Sequence, residues 1–132
     1  MPPATYTHDL TVRFRDCDAL GHVNNAVFLT YLEEARAAWF FAVVGGPRDP
    51  ERFNFILASV QIAYKSPVRY GERIRVEVGV GEVRNRSFAL EYALSTGDRP
   101  VATATTVQVT YDYTVGTPVP IPPDLAAALS RG

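Results

Sequence analysis

The stretch DCDALGHVNN, residues 16–25, gathers side chains that can do chemistry directly before a long apolar segment. It holds the carboxylic acids Asp16 and Asp18, a thiol, the imidazole of His22 and two asparagines. A carboxylate beside the free N–H groups of a helix start suits acyl transfer or hydrolysis, because those amides and the helix dipole stabilise a developing oxyanion. The structural alternative is a loop that only begins a helix, since Asp, Asn and Gly are common in such loops.

Three other chemistries fit this stretch less well. A calcium loop needs an oxygen ligand at its fifth position and Glu at its twelfth, where Leu20 and Val27 stand. Zinc would find few ligands, because the chain has one cysteine and two histidines. Cys17 lies between two acids, which oppose thiolate formation, although His22 is near enough in sequence to act as its base. We therefore favour a carboxylate site and expect no metal and no cofactor.

Composition bounds the class of protein. A length of 132 residues with 47% hydrophobic residues predicts a single domain, residues 1–132, with one packed core. The formal net charge of −1 lacks the basic footprint that nucleic acid requires, so no nucleic-acid partner is expected. A single cysteine favours a reducing, cytoplasmic setting, and the N-terminus does not read as a signal peptide. Charged residues within the longest mostly apolar run, residues 26–44, argue against a membrane span.

The element before the stretch reads as a strand. Apolar residues alternate with polar ones over residues 8–14, which is the period of a half-buried strand, and Phe14 is the last of them. If that strand ran on, Asp16 and Asp18 would fall on its inner face. Both carboxylates would then point towards the start of the following helix.

The element after the stretch reads as a long helix. Apolar residues recur at steps of three and four over residues 26–44. Asn25 is a natural N-cap, and Gly45 suits the C-terminal stop. Within the helix, Glu33 faces the active site or pairs with Arg36 on the surface, and the pair is the favoured expectation.

The rest of the chain alternates like strands joined by short turns, which favours antiparallel neighbours. These predicted strands cover residues 56–64, 73–83, 87–95 and 101–113. A Pro-rich tail then becomes weakly helical. The order of elements predicts an α+β domain in which a helix lies on an antiparallel sheet.

The segment RFRDCDALGHVNNAVFLTYLEEARAAWF resembles the signature of hotdog-fold acyl-CoA thioesterases of the 4-hydroxybenzoyl-CoA thioesterase type. Their pattern is an acid-x-acid pair, a Gly, and a helix that runs into an EEAR-like end. Further matches are AYKSPVRYGERIRVEV, RNRSFALEYAL and VPIPPDLAAAL, so the resemblance covers nearly the whole chain. It implies a hotdog fold, an antiparallel sheet wrapped around one long central helix, and homodimers or homotetramers of such units.

The resemblance also implies roles for individual residues. The second acid of the pair, here Asp18, is the catalytic base or nucleophile, and a backbone N–H at the helix start, here that of Asn25, polarises the carbonyl. GHVNN resembles plant acyl-carrier-protein thioesterases, in which a His and an Asn before it contribute. His22 matches that His, but Leu20 replaces the Asn, so His22 is expected to position substrate. Asp16 is expected to support the loop through backbone hydrogen bonds.

Lys65, Arg84 and Arg86 lie near predicted turns and are candidates to hold the CoA phosphates. The sequence therefore predicts an acyl-CoA thioesterase that converts acyl-CoA and water to a carboxylic acid and CoA. A non-hydrolytic acyl-CoA-binding hotdog protein, a sensor or carrier, is the alternative from another class, and Asp18 favours the enzyme. An acyl-carrier-protein thioesterase is a third option. An obligate oligomer is expected, because so apolar a helix needs cover.

Overall fold

The computed structural model describes residues 6–46 and 53–131. Within these ranges the elements follow the predicted order of strand, long helix and further strands. They are β1 (Tyr6–Thr11), a 3-10 turn (Phe14–Asp16), α1 (Val27–Trp39), a π-helical turn (Phe40–Val44), β2 (Phe53–Tyr64), β3 (Arg73–Val83), β4 (Ser87–Thr96), β5 (Arg99–Asp112), β6 (Thr117–Pro118) and α2 (Pro123–Arg131).

The strands form one antiparallel sheet in the order β1-β3-β4-β5-β2, with the short β6 beside β5. Alternate residues of β4 (Phe88, Leu90, Tyr92 and Leu94) are buried and form a core with α1. The predicted alternation therefore holds in β4, because the inner face of this strand packs on the helix. The sheet and its one long helix confirm the predicted α+β hotdog fold.

The long helix is close to the predicted one. Its buried residues recur at helical spacing from Phe28 to Trp39, and the π-helical turn extends it to Val44. Gly45 ends it with φ +90°, a left-handed conformation that glycine adopts without a steric penalty. No helix of the described residues is both long and apolar enough to cross a membrane.

The strand predicted over residues 8–14 is shorter than expected. β1 ends at Thr11, and Phe14 lies in the 3-10 turn with 78% of its surface exposed. The turn forms because the Asp16 carboxylate accepts a hydrogen bond from the Arg13 N–H over 2.9 Å, which closes the chain on itself. Asp16 and Asp18 consequently do not share an inner face, and that prediction was wrong.

Candidate active site

Residues 17–23 form a tight hairpin, which we call the acidic hairpin. Cys17 and Val23 are bridged as antiparallel neighbours, and the Asp18 N–H donates to the His22 carbonyl over 2.8 Å. Gly21, with φ +82°, makes the turn and donates its N–H to the Asp18 carbonyl. Only glycine enters that conformation readily, so the sequence ALGHV closes the hairpin at this position.

Asp18 is exposed at the tip of the acidic hairpin. Its Oδ1 accepts from the Leu20 N–H over 2.9 Å, whereas Oδ2 has no hydrogen-bond partner among the described residues. His22 is half-buried, and its ring likewise has no such partner within residues 6–46 and 53–131. The carboxylate thus has one oxygen held in place and one that is available to a substrate or a water.

The start of α1 presents a backbone amide, that of Asn25, for which the described part of the chain supplies no acceptor. The Asn24 side chain, rather than the predicted Asn25 side chain, accepts from the Ala26 N–H over 2.9 Å. The N–H groups of Asn24 and of residues 26–29 all have acceptors, whereas that of Asn25 has none among the described residues. The Asn25 carbonyl accepts from the Tyr64 hydroxyl over 2.9 Å, which fixes the peptide beside the free amide. A free N–H at a helix start can stabilise an oxyanion.

Asp16 is buried, with 4% of its surface exposed, directly beneath the acidic hairpin. Its carboxylate accepts from the Tyr31 hydroxyl over 2.8 Å and from the Arg13 N–H and guanidinium. Burial alone would raise the pKa of this carboxyl, but these hydrogen bonds together bring the pKa below its ordinary value of 3.8. Burial and the adjacent carboxylate raise the pKa of Tyr31, so its hydroxyl stays a donor. The expectation that Asp16 supports the loop is met by these contacts.

A cavity of about 270 Å³ lies between α1 and strands β2 and β5. Its walls are mostly apolar, and its polar side chains come from α1 and β5. The lining residues are Leu29, Thr30, Leu32, Glu33, Arg36, Leu57, Val60 and Thr106. The expected Glu33–Arg36 ion pair is not formed, because the Arg36 guanidinium turns inward and donates to the Tyr92 hydroxyl over 3.4 Å.

A buried polar chain continues from Arg36 into the sheet. The Tyr92 hydroxyl bonds to Thr106 Oγ1 over 2.7 Å, and that hydroxyl bonds in turn to Gln108. The Gln108 side-chain amide donates to the Phe88 carbonyl over 3.1 Å, which closes the chain. Burial raises the pKa of Tyr92, despite its hydrogen bonds to Thr106 and Arg36, so it stays neutral. The cavity wall therefore carries fixed polar groups beside one guanidinium.

The predicted CoA-binding residues lie at opposite ends of the sheet. Lys65 follows β2 at the end where Tyr64 meets the start of α1, so it shares that end with the acidic hairpin. Arg84 and Arg86 lie in the turn from β3 to β4, residues 84–86, which we call the arginine turn, and Arg84 contacts Glu82 there over 3.1 Å. Tyr64 is level with Ala102 and Leu94, so the two ends are separated by about eight residues of β4, roughly 25 Å. One chain does not bring these three residues together.

Sequence reasoning did not identify Tyr31 or Tyr64 as part of the site. Both tyrosines bond to the loop region over long sequence separations, 39 residues for Tyr64 and 15 for Tyr31. The sequence signal for the Tyr31 contact was an acid at position 16 followed by a tyrosine on the apolar face of the predicted helix. Within residues 6–46 and 53–131, no three His, Cys, Asp or Glu side chains gather as a metal site.

A long helix held against an antiparallel sheet, with an acidic hairpin at the helix start, defines a hotdog protein of the thioesterase class. This chain belongs to the thioesterase-like superfamily, whose family model matches residues 12–129. A 1,4-dihydroxy-2-naphthoyl-CoA hydrolase of Synechococcus elongatus is 31% identical to it over 123 residues, 90% of either chain.

Two solved structures share the fold at lower identity. A 1,4-dihydroxy-2-naphthoyl-CoA thioesterase from Synechocystis superposes with a TM-score of 0.86 at 21% identity and covers 95% of both chains. A gentisyl-coenzyme A thioesterase superposes with a TM-score of 0.85 at 21% identity, over 94% of this chain and 99% of the other. The expected superfamily is confirmed, whereas none of these three names is 4-hydroxybenzoyl-CoA thioesterase.

Proposed function

We propose that this protein hydrolyses the thioester of a hydroxylated aromatic acyl-CoA, releasing the carboxylic acid and CoA. The reaction class, acyl-CoA thioester hydrolysis, follows from membership of the superfamily and from the 31% identical hydrolase. The observation that carries the site assignment is the free Asn25 N–H at the start of α1, next to the hairpin that bears Asp18.

In the proposed reaction the thioester carbonyl accepts from the Asn25 N–H, and the helix dipole stabilises the oxyanion that forms. Asp18 acts through its unpaired Oδ2, either by taking a proton from the attacking water or by attacking the carbonyl itself. In the second route water then cleaves the acyl–Asp18 anhydride. Either way the C–S bond breaks and the CoA thiolate leaves with the electron pair. His22 positions the substrate beside Asp18 and the Asn25 N–H.

The acyl group fits the cavity along α1. Leu29 and Arg36 lie about 6 Å and about 16 Å along the helix from Asn25, and helical side chains lean back towards the helix start. An aromatic ring attached to a carbonyl at Asn25 would pass Leu29 and approach the Arg36 guanidinium. That donor suits a ring hydroxyl, which is the group that the names of the relatives have in common.

We also propose that two copies pair through β2. Its outer edge has no neighbouring strand among the described residues, it is 12 residues long, and its large apolar residues Ile56, Leu57 and Tyr64 are exposed. Antiparallel pairing about a two-fold axis sets the Phe53 end of one β2 beside the Tyr64 end of the other. The arginine turn of one copy would then lie at the same end as the acidic hairpin of its partner. A CoA shared by Lys65 of one copy and Arg84 and Arg86 of the other becomes possible.

The pairing is tested at the middle of β2. Ala58 sits at a bulge with no residue opposite on β5, near the midpoint of the strand. Ala58→Glu would set two like charges close together across the two-fold axis while sparing the ladder to β5. Light scattering should give an even multiple of 14.5 kDa for the wild type and half of the wild-type mass for the variant. A monomeric wild type at micromolar concentration would contradict the pairing.

The activity is tested by free-thiol release from a series of CoA thioesters. The series contains short, medium and long aliphatic chains, benzoyl, hydroxybenzoyl and dihydroxynaphthoyl groups. We expect the hydroxylated aromatic thioesters to have the highest kcat/KM, and Arg36→Met to reduce their advantage over benzoyl-CoA by about tenfold. Equal kcat/KM across the series would contradict the aromatic assignment. Binding without thiol release would identify a carrier or sensor, and activity only on acyl-carrier-protein thioesters would identify the third alternative.

A cytoplasmic location is proposed on the single cysteine alone.

A further inference from the structure

Asp16 is a buried acid for which the proposed reaction has no use, and its partner on α1 is Tyr31. That tyrosine is 2% exposed, and its hydroxyl donates to Asp16 Oδ2 over 2.8 Å. We propose that this pair, the Tyr31–Asp16 clamp, positions the acidic hairpin against α1 and so sets where Asp18 lies relative to the Asn25 N–H. The inference rests on the proposed function and adds positioning residues that touch no substrate.

The acidic hairpin is tied to the rest of the fold on two sides. On one side, the Val23 N–H donates over 2.8 Å to the carbonyl of Val68, which lies in the loop between β2 and β3. On the helix side, the Tyr31–Asp16 bond is the side-chain hydrogen bond, among the described residues, that joins the hairpin base to the body of α1. The Asp16 carbonyl also accepts from the Asn24 N–H over 2.9 Å, so a displacement of Asp16 reaches both arms of the hairpin.

The proposed reaction needs this tie because its two functional groups belong to different elements. Asp18 moves with the hairpin, whereas the Asn25 N–H belongs to the helix start. A misplacement of about 1 Å between reacting groups can cost about 10²-fold in rate. Without the Tyr31 hydroxyl, the buried carboxylate would lose one of its donors and depend on Arg13 alone. Asp16 would then shift towards Arg13 and carry the hairpin with it.

Loss of a clamp should let the acidic hairpin open more often, whereas loss of an ordinary core contact should not. A thiol within the hairpin can measure this opening. Cys17 is the only cysteine, it lies in the hairpin next to Asp16, and it is partly buried. Its reaction with an aromatic disulfide reagent such as DTNB proceeds by thiolate attack on the disulfide and releases one equivalent of coloured thiol. The rate of that reaction measures how often the hairpin opens, whether or not the enzyme turns over.

The experiment compares Tyr31→Phe with Thr110→Val in the full chain. Tyr31→Phe should lower kcat about tenfold with KM within about twofold, because the groups are misaligned but the binding surface is kept. The Cys17 reaction should become about fivefold faster. Thr110→Val also removes a fully buried hydroxyl, which contacts the Val119 and Arg86 carbonyls near the last residues of β5, at the end of the sheet away from the acidic hairpin. This control should leave kcat and the thiol rate within about twofold of the wild type.

Two results would overturn the clamp. One is a Tyr31→Phe variant with unchanged kcat and an unchanged thiol rate. The other is equal losses in Tyr31→Phe and Thr110→Val, which would indicate general destabilisation. If Tyr31→Phe does not fold, Asp16→Asn should change both quantities in the same direction. A wild type without thioesterase activity would refute the proposed function, and the thiol rates would still test the clamp by themselves.

Discussion

The two flanks of α1 differ in how completely the chain covers them. Towards β3 and β4, the rings of Trp39 and Phe88 lie 6.1 Å apart and both are at most 1% exposed. Towards β2, Leu29 and Leu57 keep 47% and 46% of their surface exposed, and Phe41 keeps 64%. We call these the closed flank and the open flank. Among the described residues, the core is complete on one side of the helix only.

The closed flank contributes to the stability of the fold, whereas the open flank is available for binding. The closed flank is packed by residues of the same chain, so its apolar area stabilises the monomer. The open flank contains the cavity and borders the free edge of β2, so its apolar area is available to an acyl group and to a second copy. Substitutions on the two flanks should therefore change different measured quantities.

The largest expected effect is on the closed flank. Phe88→Ala removes a ring that packs between Trp39 and Phe55, and should lower the free energy of unfolding by about 3–5 kcal/mol. Leu57→Ala on the open flank should cost little at low protein concentration, and more as concentration rises, because its loss weakens association. Denaturant unfolding at several protein concentrations measures both. If Phe88→Ala and Leu57→Ala lowered the free energy of unfolding equally at every protein concentration, the two flanks would not differ in function.

The next effect concerns chemistry. Asp18→Asn keeps the size of the side chain but removes the anion, so kcat should fall at least about 10²-fold while acyl-CoA still binds. Its stability should change little, since the side chain is exposed. Asp16→Asn is the matched control, and should lose more stability and less activity. If Asp18→Asn kept kcat within tenfold of the wild type while Asp16→Asn was inactive, Asp16 rather than Asp18 would be the catalytic carboxylate.

A smaller effect is expected at the arginine turn. Changing Arg84 and Arg86 to Ala should raise KM for acyl-CoA about tenfold and leave kcat nearly unchanged, because phosphate contacts hold the nucleotide in ground and transition states alike. The increase should shrink with a pantetheine thioester, which has no nucleotide. Glu82→Gln frees the Arg84 side chain and should lower KM slightly. An unchanged KM in the double variant would show that these arginines are surface residues that do not bind CoA.

The smallest effect is a pH dependence at Asp16. Its pKa is lower in the folded chain than its ordinary value of 3.8. The stability that it contributes is therefore fully present above about pH 4 and is lost as pH falls through the folded-state pKa. The stability difference between the wild type and Asp16→Asn should narrow from pH 5 to pH 3. Unfolding curves at several pH values measure it, and a constant difference would contradict the linkage.

The sequence predicts the closed flank better than the open one. β3 matches the predicted residues 73–83 and α1 nearly reaches its predicted bounds, because strong periodicity reflects burial on one face. The end of β1 was missed because the side-chain contact of Asp16 with the Arg13 N–H overrides the apolar alternation. Periodicity also cannot tell which apolar residues stay exposed, since Leu57 and Phe88 are both apolar residues of predicted strands.

The parts of the site that the sequence indicated are those within one short stretch. Asp18, His22 and Asn25 could be grouped because they are neighbours in the chain. Tyr31 and Tyr64 could not, because their bonds to that stretch depend on how α1 and β2 pack. Grouping Lys65 with Arg84 and Arg86 required the direction of each strand, which no local pattern contains.

The distance between the arginine turn and the acidic hairpin has a genetic consequence. If each site draws Asp18 from one copy and Arg84 and Arg86 from the other, two defective chains can repair one another. A mixed dimer of Asp18→Asn with the double arginine variant would contain one site with both defects and one site with neither. At acyl-CoA concentrations well below the KM of the arginine variant, mixing the two proteins under exchange would then give more activity than the sum of the two measured alone. Two such alleles would complement each other in a cell.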